Sequence, residues 1–330
     1  MTRPDRRRTM LVLVGCIVSM SGAGVAHAQP EPWPARPVRI VVAYPPGGST
    51  DVAARLVAER LSVRLGRQVL VENRAGAGGT IGAASVAKSE PDGHTLLFAA
   101  SPELTISRIT MKGLPYDSAQ DLQPIVLVGQ VPFMLVANPA LPATTLAELI
   151  AHAKANPGKL SYSSFGNNTS NHLVGELFKL STGIDAVHVP YKGSAPSITD
   201  LIGGQVQYTF DTITAVLPHV RSGKLRAVAM ATRQRSVLAP GVPTMTEAGM
   251  AGFTGGTWFG LLAPSRTPRP IVDRLQAEVD AILKSPDVRK TFEERGIEPA
   301  GGTAQEFAAF IQAEIEKWQG LANRLGIKPE

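Results

Sequence analysis

Two short stretches carry the residue types that hold an anion without a metal or a nucleophile. The first is AYPPGGSTDVAARL, residues 43–56, where a run of β-formers, VRIVVA, stops at Pro45, Pro46, Gly47 and Gly48. Helical sequence then starts on Ser49, Thr50 and Asp51. A helix N-terminus presents unpaired N–H groups and a partial positive charge, so it attracts carboxylates and phosphates. Gly47 and Gly48 let the backbone come close to a ligand, and the hydroxyls add donors. The second is YSSFGNNTSNHLVGELF, residues 162–178, again a strand, a polar Gly/Asn turn and a helix. There Phe165 offers an apolar wall, and Gly166, Asn167 and Asn168 supply left-handed turn positions and donors. A plain capped βα turn with nothing bound uses the same residues, because Ser, Thr and Asp are the common helix caps.

Other chemistries fit less well. The glycines of ENRAGAGGTIGAA, residues 72–84, miss the dinucleotide spacing, because Ile81 stands at the last glycine position. A phosphate-cradling loop would need Gly-Lys-Ser/Thr, which is absent. This turn reads as close strand–helix packing, with Thr80 a candidate for the cleft. No G-x-S-x-G elbow is present for a hydrolase. His172 falls in the first turn of its helix and reads as structural, and no second histidine lies at metal spacing. No metal and no cofactor are expected. Asp51 and Asp211 both sit at strand–helix junctions, yet an acid/base pair is the weaker reading. Asp211 is expected to order loop amides, water or a ligand amine.

The ends and the charge narrow the class. Arg3, Arg6, Arg7 and Arg8 precede an apolar run from Met10 to Met20 and a cleavage-like Ala26-His27-Ala28. Residues 1–28 are therefore expected to be a secretory signal. Arg7-Arg8-Thr9-Met10-Leu11 loosely resembles a twin-arginine signal, and Leu13-Val14-Gly15-Cys16 a lipoprotein box, though the apolar stretch before Cys16 is short. Beyond residue 28 the chain holds 29 basic and 26 acidic residues, a formal charge of +3. Such a small, dispersed excess argues against a nucleic-acid partner. The only cysteine, Cys16, lies in the signal, so the exported chain has neither disulfide nor thiol chemistry.

The elements that must position the two turns alternate. Strands are expected at 38–44, 68–73, 94–100, 131–139, 160–165, 186–191, 206–211, 225–232 and 257–264. Helices are expected at 49–65, 79–89, 145–155, 170–182, 195–202, from 268 to 285, 287–295 and 304–325. This pattern gives an α/β fold with mainly parallel strands. The strands at 131–139 and 257–264 cross between two lobes. Residues 36–130 with 254–330 form one lobe and 131–253 the other, with a ligand cleft between them.

The order and spacing of several segments resemble one family. They are WPARPVRIVVAYPPGGSTD (33–51), VENRAGAGGTIGAASVAKSEPDGHTLLFA (71–99), LPYDSAQDLQPI (114–125), NPGKLSYSSFG (156–166), HLVGELFK (172–179), VPYKGSAPSITDLIGGQV (189–206) and WFGLLAPSRTP (258–268). The chain resembles the periplasmic substrate-binding proteins of tripartite tricarboxylate transporters, the Bug or TctC family. The resemblance implies a two-lobed, type II-like Venus flytrap in the periplasm. It would be a monomer without enzymatic activity that delivers a small carboxylate to membrane transporter subunits. Carried onto this chain, the ligand contacts would be Tyr44, Gly48, Ser49, Thr50, Asp51 and Ser101 on one lobe. On the other they would be Ser164, Phe165, Gly166, Asn167, Asn168 and Asp211. Asn167-Asn168 departs from relatives that carry a second glycine there. Glu103 is expected to face solvent or meet a cationic part of the ligand. A subunit that presents ligand to a membrane sensor kinase would need the same binding chemistry, and a secreted α/β hydrolase is the remaining alternative.

Overall fold

The computed structural model describes residues 33–327 and 329, so the expected signal, with Cys16, lies outside the described residues. The chain begins with β1 (Val38–Val42), α1 (Ser49–Leu65), β2 (Val69–Asn73), α2 (Thr80–Ala87) and β3 (Thr95–Ala100). A π-type turn at Pro102–Ile106 leads into α3 (Ser107–Thr110) and then β4 (Leu122–Ala137). Next come α4 (Leu146–Ala155), β5 (Leu160–Ser164), α5 (Ser170–Thr182), β6 (Ala186–Pro190) and α6 (Ser194–Ile202). β7 (Tyr208–Thr212), α7 (Ile213–Arg221) and β8 (Arg226–Met230) follow. The chain closes with β9 (Gly256–Pro264), α8 (Arg269–Lys284), α9 (Pro286–Glu294), β10 (Glu298–Gly301) and α10 (Ala304–Leu325).

The strands form one curled sheet in the order β2-β1-β3-β9-β4-β7-β5-β6, with β8 and β10 also paired to β4. Parallel pairing is confined to the βα units at either end: β1 with β2 and β3, and β5 with β6 and β7. β4 and β9 run antiparallel to every partner they have. The sheet is thus mixed rather than mainly parallel. The cause is that the two crossover strands enter and return in opposite directions.

β4 is the spine. From Leu122 to Pro132 it pairs with β9, and from Phe133 to Ala137 with β7 and β8. Its register against β9 slips between Pro124 and Val126 and between Leu127 and Gly129. Proline has no N–H to give to a ladder, so such irregularities are expected beside one. Where the crossover strands meet, a Cβ on Gly256 would lie 2.8 Å from the Val131 carbonyl oxygen, closer than any side chain allows.

Burial explains the helices. In α8 the buried residues Val272, Leu275, Val279, Ile282 and Leu283 recur at helical spacing and lie on the first core with Ile40, Val42 and Phe259. A second core gathers Phe133, Tyr162, Phe178, Tyr208 and Phe210. α10 joins the second core to a third, smaller cluster. Its Phe307 packs with Trp258 and Leu262, whereas Trp318, Leu321 and Ala322 lie in the second core. None of the described helices is long and apolar enough to cross a membrane.

Candidate functional site

Three helices aim their N-termini at one small cavity. α1 arrives with Gly48, Ser49 and Thr50, α5 with Ser170, and α6 with Gly193, Ser194 and Ala195. Each helix starts on serine, and none has a side-chain cap at its N-terminus. Away from the cavity, α4 and α10 carry complete capping boxes, Thr145 with Glu148 and Thr303 with Glu306, while α2, α7, α8 and α9 also lack a side-chain cap. The N–H groups facing the cavity are therefore left for something other than the chain's own side chains. Tyr44, Pro45, Pro46, Ala100, Pro102, Phe165, Pro196 and Thr257 complete the walls. Among the described residues that line it there is no Lys, Arg, His, Asp or Glu.

The cavity measures about 50 Å³, room for roughly three to five water-sized positions. The two strand–turn–helix segments close over it. A Cβ on Gly193 would sit 3.4 Å from the Pro45 ring, and one on Gly78 would sit 3.4 Å from the Asn167 carbonyl oxygen. Gly193 has φ +125°, a conformation that L side chains rarely adopt. A larger opening of about 640 Å³ runs along the crossover strands between the loop at 231–238 and the C-terminal helices. Its walls mix Arg233, Arg235, Glu293, Glu298, Glu314 and Lys317. No helix N-terminus of the three described here points into it, so the smaller cavity is the candidate site.

The residues singled out in the sequence divide into two groups. Tyr44, Gly48, Ser49, Thr50 and Phe165 line the cavity. Asp51, Ser101, Ser164, Gly166, Asn167, Asn168 and Asp211 are not among its lining residues. Asp51 turns back on its own loop: its carboxylate accepts from the Gly47 N–H at 3.0 Å, Asn73 Nδ2 at 2.9 Å and Arg55 Nε at 3.0 Å. Burial pushes its pKa up, but those donors outweigh burial and hold it below the ordinary value. Ser101 is fully buried, with its Oγ 3.3 Å from Thr257 Oγ1.

Ser164 Oγ bonds His188 Nε2 at 2.7 Å and donates to the Gly166 carbonyl at 2.9 Å. His188 stacks on His172 with ring centroids 4.0 Å apart, and His172 Nδ1 accepts from the Asn168 N–H at 3.2 Å. Burial lowers both histidine pKa values, that of His188 to about 3, so the pair is neutral at pH 7. Asn168 adopts φ +62°, the left-handed position the turn needs. The stacked histidines thus brace the turn that carries Phe165 into the cavity. Among the described residues no group of three His, Cys, Asp or Glu is placed to hold a metal.

Asp211 is wholly buried, receives Ser194 Oγ at 2.7 Å and the Thr212 N–H at 2.6 Å, and has its pKa pushed up by burial to about 7. Glu103 corrects the expectation that it faces solvent or a ligand. It is fully buried, accepts from the Ala100 N–H at 2.7 Å and lies 3.0 Å from Tyr44 Oη. Burial raises its pKa to about 8, so at neutral pH it is chiefly the uncharged acid and does not repel an anion.

Comparison with known proteins places the chain in a family. Residues 53–327 match the family described as the tripartite tricarboxylate transporter family receptor, TctC. The chain belongs to that family. It is 40% identical over 320 residues to Protein BugT of Bordetella pertussis, covering 97% of this chain and 98% of that one. It resembles the solved R. palustris protein Rpa4515 with adipate at a TM-score of 0.88 and 38% identity, covering 90% of this chain and 100% of the other. MatC from Rhodopseudomonas palustris with bound malate has a TM-score of 0.83 and 33% identity, covering 87% and 99%. The fold of this TctC receptor is accordingly the two-lobed α/β binding-protein fold, and its family and structural neighbours are solute-binding proteins, not enzymes.

Sequence reasoning passed over Ser170, Gly193, Ser194 and Thr257 in this receptor. The stretch Val189-Pro190-Tyr191-Lys192-Gly193-Ser194 has the same grammar as the opening turn, a β-run, a proline, a glycine and a serine that starts a helix. That signal was there to be read.

The buried network yields two expected outcomes. Asp51→Ala removes the anchor of the Gly47 turn. Hydrogen bonds to a charged group are worth about 1.5–3 kcal/mol, so binding at the cavity should weaken roughly tenfold with the fold intact, checked by calorimetry and far-UV circular dichroism. Glu103 has its folded pKa, about 8, above its ordinary 4.5. The folded state therefore keeps a proton that the unfolded state has lost across that window, and stability falls as pH rises through it. Glu103→Gln should remove that fall, so the variant's Tm relative to the parent should grow between pH 5 and pH 9. A gain of about 2–4 °C corresponds to 1 kcal/mol for domains of this size, and a flat difference would remove the assignment.

Proposed function

We propose that this receptor captures a small carboxylate in the periplasm, between its two lobes, and delivers it to membrane subunits of a tripartite tricarboxylate-type transporter. The observation that carries the reading is the meeting of three uncapped helix N-termini at a cavity with no cationic side chain. A carboxylate suits such a site, because N–H donors and helix dipoles favour a compact anion. The ligands named for Rpa4515 and MatC, adipate and malate, are both carboxylates.

In this reading residues 36–130 with 254–330 form one lobe and 131–253 the other, and residues 1–28 are an export signal that is removed. The receptor acts as a monomer. Ser49, Thr50, Ser170 and Ser194 hold the carboxylate through main-chain N–H groups. Tyr44 and Phe165, with Pro45 and Pro196, pack against its carbon chain. Asp51, Ser164 and Asp211 hold the turns in place, and the Gly166-Asn167-Asn168 turn closes the second side. The lobes separate about the β4–β9 crossing to admit the ligand, and the closed form is the one the transporter recognises. Ligand moves that balance only as far as it prefers the closed state. A handful of charge-assisted hydrogen bonds, less the costs of ordering and closure, supports a Kd of about 1 μM, or roughly −8 kcal/mol.

Calorimetry on protein unfolded and refolded to strip carried-over ligand tests this. The panel is aliphatic di- and tricarboxylates, acidic amino acids and aromatic carboxylates. One class should bind at one molecule per chain with micromolar affinity. Gly193→Val should abolish that binding, because the position has φ +125° and a side chain there would meet the Pro45 ring. Silence across the panel, or full affinity in Gly193→Val, would overturn the site.

A further inference from the structure

Two cavity hydroxyls each have a buried carboxyl group behind them. Ser194 Oγ donates to Asp211 Oδ2 at 2.7 Å. Tyr44 Oη lies 3.0 Å from Glu103 Oε2 and 3.2 Å from the Gly78 carbonyl oxygen. Asp211 and Glu103 are both fully buried. Their other partners are neutral: the Thr212 N–H and hydroxyl for Asp211, the Ala100 N–H for Glu103.

The consequence lies in the count of protons. A hydroxyl has one proton to give and two lone pairs, and an ionised carboxylate only accepts. Once Ser194 has given its proton to Asp211, it shows only lone pairs to the cavity. Tyr44 is in the same state, since the Gly78 carbonyl oxygen, 3.2 Å away, offers its proton an acceptor on its own lobe. Neither hydroxyl is then a donor to a carboxylate. That work falls to the main-chain N–H groups of the three helices. The two hydroxyl oxygens are instead acceptors in search of a donor, and a buried acceptor left unmet costs free energy.

Resting on the carboxylate reading, we propose that Asp211, acting through Ser194, makes this receptor selective for short carboxylates that also carry a hydrogen-bond donor, a hydroxyl or an ammonium. Asp211 is a positioning residue here; Ser194 is the group that meets the ligand. A site built to hydrogen-bond a ligand hydroxyl discriminates against the analogue that lacks it, because its own polar group is left unpaired.

The geometry also says what Asp211→Asn does. The Thr212 N–H fixes one carboxyl oxygen of Asp211 at 2.6 Å. The amide oxygen of asparagine takes that place, which leaves its NH₂ facing Ser194 Oγ. The amide then donates to Ser194, and the serine proton turns to the cavity. The preference should reverse toward the ligand without a donor.

The test is calorimetry at pH 8 on matched pairs: malate and succinate, aspartate and succinate, lactate and propionate. The donor-bearing member of the best-binding pair should bind about tenfold tighter to the parent protein. Asp211→Asn should bring the ratio to 1 or below, and Ser194→Ala should abolish it. A general structural defect would weaken both members alike and leave the ratio unchanged. Equal binding of both members to the parent protein would overturn the selectivity while leaving the carboxylate reading intact, and this comparison needs no variant to fold. A tenfold ratio that survives in both variants would overturn the role of Asp211 and Ser194. Binding of no member of any pair would overturn the selectivity for short donor-bearing carboxylates, and the wider panel of tricarboxylates and aromatic carboxylates then decides the carboxylate reading separately.

Discussion

Three like poles meet in this protein. The N-termini of α1, α5 and α6 each carry a partial positive charge of roughly half a unit, and the fold brings them around a cavity of about 50 Å³ with no acidic residue among the described residues that line it. Such an arrangement is unfavourable for the empty chain, because the ends repel and their N–H groups lose water. An anion between them reverses the sign of the interaction. In the proposed reading, closure and anion capture are therefore one event in energetic terms. No guanidinium or ammonium is needed, and its absence from the lining spares the site a long, mobile side chain that would have to be ordered.

In the proposed reading the like poles part about the crossover strands. β4 and β9 pair along nearly their whole shared length, then β4 carries on into the second half of the sheet. Backbone and backbone lie so close at Gly256 and Val131 that no side chain fits between them. A small change of angle in this ribbon moves the whole α5 and α6 layer relative to α1. α10 ties the two halves together, since Phe307 belongs to one core and Trp318 to another. Across the mouth, Gly193 faces the Pro45 ring and Gly78 faces the Asn167 carbonyl oxygen, each leaving room for little more than a Cβ between them.

Local signals in the sequence were legible where local chemistry decides the structure. α1 begins at Ser49 and α5 at Ser170, as the serine starts require, and both end before glycines in the left-handed conformation. β4 was read only in its second half, because Pro124 and Pro132 break the pattern of a strand and its first half is held by β9, more than a hundred residues away. The Pro102–Ile106 turn and the burial of Glu103 were hidden for a related reason. Nothing near Glu103 in the chain reveals that Tyr44 and the Ala100 N–H will shelter it. The site was found in part: the turn at Gly48 through its density of small polar residues, but not the matching turn at Gly193, where exposed Lys192 and Ala195 dilute the signal.

Asp51 and Asp211 show why residue type alone does not give a role. Both are buried aspartates at strand–helix junctions beside the cavity. Asp51 meets the Arg55 guanidinium, the Asn73 amide and the Gly47 N–H, so its carboxylate stays ionised and its loop is fixed at any pH near neutral. Asp211 meets only hydroxyls and one N–H, and burial brings it to the edge of protonation at about 7. The first can only hold a turn in place. The second sits where its charge decides which way a serine proton points, and that proton faces the ligand or does not. One arginine four residues along a helix separates a structural anchor from a group able to set what the cavity accepts.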